Sequence, residues 1–115
     1  MKAYTLHFTE TDGGSWCAVI PAELQKLLGR QVTATLWKDR SIRLYTEDEW
    51  ADVMAHIERL TEGEVKRLRP FFALAELCYS GGDTITLHDT LRCHAGIETD
   101  AVLEIGDDEW LLRRG

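Results

Sequence analysis

Two stretches of the chain decide its fold: VIPAELQKLLG, from Val19 to Gly29, and TLHDTLRCHAG, from Thr86 to Gly96. Each begins with residues typical of a strand and continues into a short helix with a leucine on one face, which a glycine ends. In the first stretch Pro21 stands at the start of the helix, where its missing N–H costs nothing. Because the stretches lie about 67 residues apart, the sequence predicts one strand-to-helix corner made twice.

Strands surround the first corner. AYTLHFT (3–9) alternates apolar and polar residues, which predicts a half-buried strand, and Asp12-Gly13-Gly14 predicts the turn into a second strand from Trp16 to Ile20. In the corner itself the sequence predicts an apolar stripe made of Leu24, Leu27 and Leu28. QVTATLW and SIRLY then predict a hairpin around Lys38–Arg40.

Two consecutive capping boxes mark a helical connector. Thr46 with Glu49, and Thr61 with Glu64, have the spacing in which each side chain satisfies the backbone N–H of the other residue. The apolar period after Thr46 predicts a helix that buries one face, and Pro70 is expected to end the second helix.

The order of elements then begins again. FFALAELCYS predicts a strand region, Gly81-Gly82 a turn, and AVLEI with EWLLR a final hairpin. The sequence therefore predicts an α+β chain with a first repeat over 1–45, a helical connector over 46–70 and a second repeat over 71–115, all in one domain.

Charge and cysteine content restrict the function. The 115 residues carry 13 basic and 20 acidic side chains, a formal net charge of −7, which weighs against DNA binding by an isolated monomer. Three scattered cysteines predict reduced, buried thiols. No run of eighteen apolar residues occurs, so we expect a cytoplasmic protein that does not enter the membrane.

The sequence offers no catalytic or metal-binding signature. No Ser-His-Asp or Cys-His constellation can be argued from four histidines, and the glycine pairs read as hairpin turns instead of phosphate loops. His88, Cys93 and His94 suggest a metal site. However, Cys93 and His94 are adjacent, and adjacent residues on a helix point about 100° apart, so the two side chains do not converge on one ion. We therefore expect no enzyme activity, no metal and no cofactor.

The repeated corner resembles a known family. IPAELQKLLG and LHDTLRCHAGIETDAVLEIGDDEWLLRR are similar to AbrB/MazE-type units, and two such units with SIRLYTEDEW and RPFFALAELCYSGGD at the junctions resemble the MraZ proteins. The resemblance implies a swapped-hairpin β-barrel from two pseudo-repeats. It further implies a bacterial transcriptional regulator that binds DNA repeats upstream of division and cell-wall genes and assembles into rings.

The chain departs from the MraZ pattern at the residues that contact DNA. MraZ proteins carry Asp-x-x-Gly-Arg before each corner, whereas this chain has Gly13-Gly14-Ser15-Trp16-Cys17 and Ser80-Gly81-Gly82-Asp83-Thr84, and both arginines are missing. Such an arginine makes a two-pronged contact to phosphate or guanine. Their loss removes a large share of the salt-dependent affinity for DNA.

The predicted function is a MraZ-like regulator that binds double-stranded DNA as a homo-oligomer in the cytoplasm, associated with the nucleoid. Basic residues of AbrB-type corners survive as Lys26 and Arg92, which we expect at equivalent places in the two repeats, and Arg30 and Lys38 are expected to add phosphate contacts. The alternative is a relative that has lost DNA binding and acts as a protein-interaction module. Trp16 and Trp37 lie near predicted turns, where packing in the core and contacts between subunits are both open.

Overall fold

Eight strands and four α-helices make up residues 2–115, the part of the chain that the computed structural model describes. The strands are β1 (Lys2–Thr11), β2 (Ser15–Val19), β3 (Val32–Trp37), β4 (Ser41–Thr46), β5 (Glu76–Tyr79), β6 (Thr84–His88), β7 (Asp100–Ile105) and β8 (Trp110–Arg114). The helices are α1 (Ala22–Leu28), α2 (Glu47–Ile57), α3 (Glu62–Phe72) and α4 (Asp89–His94). The predicted α+β class is confirmed.

The strands form one antiparallel sheet in the order β5-β3-β4-β8-β7-β1-β2-β6. The sheet curls until its two outer strands, β5 and β6, come together at the Gly81-Gly82 turn, so that the barrel is nearly closed. A barrel leaves few unpaired strand edges. The expectation of a barrel is therefore confirmed.

Four of the strand pairings join the first half of the chain to the second. They are β1 with β7, β2 with β6, β3 with β5, and β4 with β8. Each strand of the first half has a counterpart in the second: β5 for β1, β6 for β2, β7 for β3 and β8 for β4. When every strand is exchanged for its counterpart, the same four pairings result, so the molecule has twofold pseudo-symmetry. Cys17 and Thr86 form the central pair of the β2–β6 ladder.

Both halves contribute to a single core. Fully buried leucines come from β1, α1, β4, β6, α4, β7 and β8: Leu6, Leu24, Leu28, Leu44, Leu87, Leu91, Leu103 and Leu112. Burying such a side chain contributes roughly 1.5–3 kcal/mol relative to leaving it in water. Either half alone would expose its share of these residues.

The predicted apolar stripe of α1 is only partly correct. Leu24 and Leu28 are fully buried, whereas Leu27 is 40% exposed. Residues four apart share a helix face, but neighbouring residues point about 100° apart, so Leu27 lies off the face that Leu24 and Leu28 bury.

Both capping boxes are confirmed. Thr46 N–H donates to Glu49 Oε1 at 3.0 Å and Glu49 N–H donates to Thr46 Oγ1 at 3.4 Å, and Thr61 and Glu64 make the same exchange. The Tyr45 and Trp50 rings, whose centroids lie 5.3 Å apart, pack against each other across the first box.

Pro70 does not end its helix, and the strand predicted from Phe71 is too long. Helix α3 continues through Phe72, and Ala73 N–H donates to Arg69 O at 2.8 Å beyond the proline. The Phe71 ring packs 5.5 Å from Trp37 and the Phe72 ring 5.9 Å from Trp50, so tertiary contacts hold the last helical turn. Of the predicted strand region FFALAELCYS, only Glu76–Tyr79 forms a strand.

Candidate nucleic-acid interface

The two corners have the same backbone design. Pro21 precedes α1 with extended dihedral angles, and His88 precedes α4 with similar ones while its side chain accepts from Thr90 N–H at 3.3 Å. Gly29 and Gly96 follow the helices with φ of 72° and 68°, a conformation that side chains with a Cβ rarely adopt.

The matching caps and glycines correct one predicted equivalence. Counting from Pro21 and His88, Lys26 corresponds to Cys93, and Arg92 corresponds to Gln25. The buried positions agree with this register, because Leu24 and Leu28 match Leu91 and Ala95. Lys26 and Arg92 therefore do not occupy equivalent places, and the prediction was wrong by one residue.

Arg92 is used inside the molecule. Its Nε and Nη2 donate to Asp89 Oδ1 at 3.0 and 2.7 Å, and its Nη1 donates to the Ile97 carbonyl at 2.6 Å. The guanidinium carbon lies 4.0 Å from the centre of the Trp16 ring, and the side chain is only 16% exposed. Arg92 thus joins α4 to β2 and to the loop that follows the helix.

Asp89 completes this cluster. Its Oδ1 also accepts from the Trp16 indole N–H at 3.1 Å. The hydrogen bonds and the charge of Arg92, together with the Trp16 hydrogen bond, hold the pKa of the Asp89 carboxyl below its usual value, against a smaller opposing effect of desolvation. Trp16 is half-buried in this contact, which is one between two elements of the same chain.

Lys26 and Arg30 lie at the end of α1. Lys26 is exposed in the last helical turn and makes no ion pair within residues 2–115. Arg30 is 85% exposed, and its Nε and Nη2 donate to the two carboxylate oxygens of Glu47 at 3.2 and 2.9 Å. A phosphate at Arg30 would have to compete with that carboxylate.

Lys38 lies in the turn between β3 and β4. Its Nζ is 5.6 Å from the centre of the Trp37 ring, and the guanidinium of Arg43 packs on the same ring at 4.8 Å. His94 Nε2 lies 3.3 Å from the Trp37 carbonyl oxygen, which brings this turn next to the end of α4. Of the four predicted DNA contacts, Lys26 and Arg30 thus lie together at the end of α1, whereas Lys38 lies in the β3–β4 turn and Arg92 packs on Trp16.

A second set of cations, not predicted from the sequence, lies beside Lys38. Arg40 in the same turn and Arg113 and Arg114 at the end of β8 line one pocket. The adjacent arginines in EWLLRRG were the available signal. Their approach to Arg40 depends on strand pairing across more than seventy residues, which no local pattern reveals.

The cysteines do not form a metal centre with the histidines. Among residues 2–115 no three His, Cys, Asp or Glu side chains group as metal ligands would. All three thiols are free, as predicted, but only Cys78 is buried, and its burial raises the pKa of the thiol. Cys17 is half-buried and Cys93 is exposed, so the prediction of buried thiols was wrong for Cys93.

Comparisons with known proteins add no family. No protein-family model and no curated protein matches the chain. Within the part of the chain described by the structure, no helix is both long enough and apolar enough to span a bilayer.

Proposed function

We propose that this chain is a MraZ-like, DNA-binding transcriptional regulator that acts as a homo-oligomer on a swapped-hairpin, AbrB-like barrel. The observation that carries the proposal is the repeated corner together with the four strand pairings that join the two halves. A repeat whose strands pair mainly with those of the other repeat cannot bury its apolar face alone. Two repeats that depend on each other in this way are what the family resemblance implies.

Self-association is supported by the helical connector. No residue of α2 or α3 is buried, although both helices are amphipathic. Their apolar sides form an open groove of about 290 Å³ lined by Trp50, Met54, Ile57, Val65, Leu68 and Phe72. Met54 is 41% exposed. A second molecule that covers this groove removes apolar surface from water, and we assign the groove to the contact between subunits.

The DNA contacts are assigned to Lys26 and Lys38, with Arg30 in support. Lys26 and Lys38 are exposed and have no carboxylate partner within the described residues, whereas Arg30 shares its charge with Glu47. A net charge of −7 makes each molecule a weak binder. Several linked molecules on repeated DNA sites raise the effective concentration, so that weak contacts suffice.

The test is a DNA mobility shift at low salt with the Lys26→Ala/Lys38→Ala double variant. We expect weaker binding than for the unsubstituted chain, and a shallower dependence on salt, by about two in the logarithmic slope. Lys66→Ala/Arg67→Ala is the matched control, because these cations are exposed on α3, outside the assigned contacts. Binding that survives the double variant but not the control would contradict the assignment.

The second candidate is a protein-interaction module without DNA binding. It is favoured by the pairing of Arg30 and Arg92 within the chain, since both predicted DNA contacts already bind carboxylates. Failure of the folded, oligomeric chain to retard any duplex at low salt would favour this candidate. A monomer in light scattering would contradict both.

A further inference from the structure

One pocket of the molecule combines three arginines from distant parts of the chain. It has a volume of about 290 Å³ and is lined by Asp39, Arg40, Ala95, Gly96, Arg113 and Arg114. Gly96 contributes only backbone to this lining and lies next to the Arg114 side chain.

Two of the three guanidinium groups are available to a ligand. Arg40 and Arg114 are exposed, and no carboxylate of residues 2–115 lies within 4 Å of either. Arg113 Nε lies 3.3 Å from Glu104 Oε1, yet it is buried and makes no hydrogen bond. The pocket thus combines the two exposed arginines, Arg40 and Arg114, with a single lining carboxylate, that of Asp39, in a protein that is acidic as a whole.

The turn that carries Arg40 is unfavourable for an arginine. Asp39 and Arg40 both have positive φ, 56° and 55°, and Ser41 N–H donates to the Lys38 carbonyl to close the turn. Turns with positive φ at both central residues prefer glycine at the second of them, because a Cβ is strained there. Arg40 thus occupies a strained position beside a pocket that Arg113 and Arg114 also line. Strain of this kind indicates a functional role for Arg40 in addition to closing the hairpin.

The pseudo-symmetric position of the first half provides an internal comparison. There a groove is lined by Leu28, Gly29, Arg30, Thr46 and Glu47, among others. Thr46 pairs with Val32 at the end of its hairpin just as Arg114 pairs with Ala101. In that groove Glu47 neutralises Arg30, and threonine stands where the second half has arginine. Only the groove of the second half keeps unpaired guanidinium groups.

We propose that the pocket of Arg40, Arg113 and Arg114 binds a phosphoryl group. Guanidinium groups match the oxygens of phosphate with two parallel hydrogen bonds, and several of them around a small pocket compensate more than one negative charge. The phosphoryl group belongs either to a small phosphorylated molecule or to a nucleic-acid backbone. Of the DNA contacts assigned above, Lys26 and Arg30 lie at the other corner, whereas Lys38 lies in the same turn as Arg40 but does not line the pocket.

Calorimetric titration with inorganic diphosphate at low ionic strength tests the site. We expect saturable binding at one site per chain, and each of Arg40→Gly and Arg114→Gln to weaken it about tenfold or more, the usual effect of losing a hydrogen bond to a charged group. Arg59→Gln, which removes an exposed arginine between α2 and α3, is the charge-matched control and keeps the affinity. Absence of saturable binding, or equal weakening by the control, overturns the proposal.

Thermal unfolding separates binding from folding. Glycine tolerates positive φ, so Arg40→Gly is expected to have a Tm no lower than that of the unsubstituted chain while it loses diphosphate. Arg114→Gln provides the second variant should the first fail to fold.

Titrations with a nucleoside diphosphate and with a short DNA duplex then identify the source. If diphosphate displaces the duplex and Arg40→Gly weakens both, the phosphoryl group is that of the backbone. If the nucleoside diphosphate binds and leaves duplex binding unchanged, the ligand is a small molecule. Either outcome supports the site, and failure of Lys26→Ala/Lys38→Ala to alter DNA binding affects only the earlier proposal.

Discussion

At the end of α1, Lys26 extends into solvent and Gln25 donates a single hydrogen bond at 3.2 Å to the Ile20 carbonyl. At the corresponding place of α4, Arg92 makes several hydrogen bonds and stacks on Trp16 from the other half of the chain. The caps, the buried positions and the closing glycines of the two corners nevertheless agree. The backbone of a corner therefore depends on a few apolar and glycine positions, and its polar positions are free to take different roles.

The same difference extends to the grooves beside the corners. Arg30 and Glu47 neutralise each other beside α1, whereas Arg40 and Arg114 remain unpaired beside α4. One scaffold thus presents a neutralised groove and a basic groove at related places. We therefore expect the two halves to respond alike to substitutions in their shared core, and differently to substitutions of their polar side chains.

The largest expected effect tests the shared core. Leu24→Ala and Leu91→Ala each remove a fully buried side chain from equivalent positions of α1 and α4. Each is expected to lower the free energy of unfolding by about 2–5 kcal/mol, because a cavity replaces packed atoms. Urea unfolding followed by tryptophan fluorescence and by circular dichroism should give one coincident transition for both variants. Two separate transitions, with only one shifted, would show that the halves unfold independently.

A smaller effect separates the two corners. Arg92→Ala removes the hydrogen bonds to Asp89 and Ile97 and the contact with Trp16, so we expect a loss of about 1–3 kcal/mol in the free energy of unfolding. Gln25→Ala removes one neutral hydrogen bond and is expected to cost about 1 kcal/mol or less. Urea unfolding of the two variants provides the measurement. Equal costs would mean that Arg92 contributes no more than its counterpart.

Local signals in the sequence predicted the corners well. The leucine period, the residue before each helix and the glycine after it act within about ten residues, so both short helices could be predicted from them, whereas the barrel was expected only from the family resemblance. Pro70 shows the limit of such signals. A proline usually ends a helix, but the contacts of Phe71 with Trp37 and of Phe72 with Trp50 outweigh that tendency here.

The side-chain clusters could not be predicted, for a physical reason. Trp16 meets Asp89 only because β2 pairs with β6, which places Trp16 opposite Leu87. The basic pocket likewise needs the turn after β3 to lie beside the end of α4 and the end of β8. Contacts between residues more than seventy positions apart depend on register, and register became known only with the pairing of the whole barrel.

The most subtle difference between the corners is in their response to pH. Arg92 lowers the pKa of Asp89, and a carboxyl with a lowered pKa in the folded state contributes stability above its unfolded pKa that is lost as the pH falls through its folded pKa. Because the pKa of Asp89 lies below the usual value of an aspartate, this stability is lost in the acidic range below that usual value. The position of Asp89 is taken by Ala22 in the first half, and Gln25 carries no charge.

The measurement is the Tm as a function of pH. The difference in Tm between the unsubstituted chain and Arg92→Ala should shrink as the solution is acidified through this range, while the difference for Gln25→Ala stays constant. An Arg92→Ala gap that does not change with pH would mean that stacking on Trp16, and not the ion pair with Asp89, connects α4 to β2.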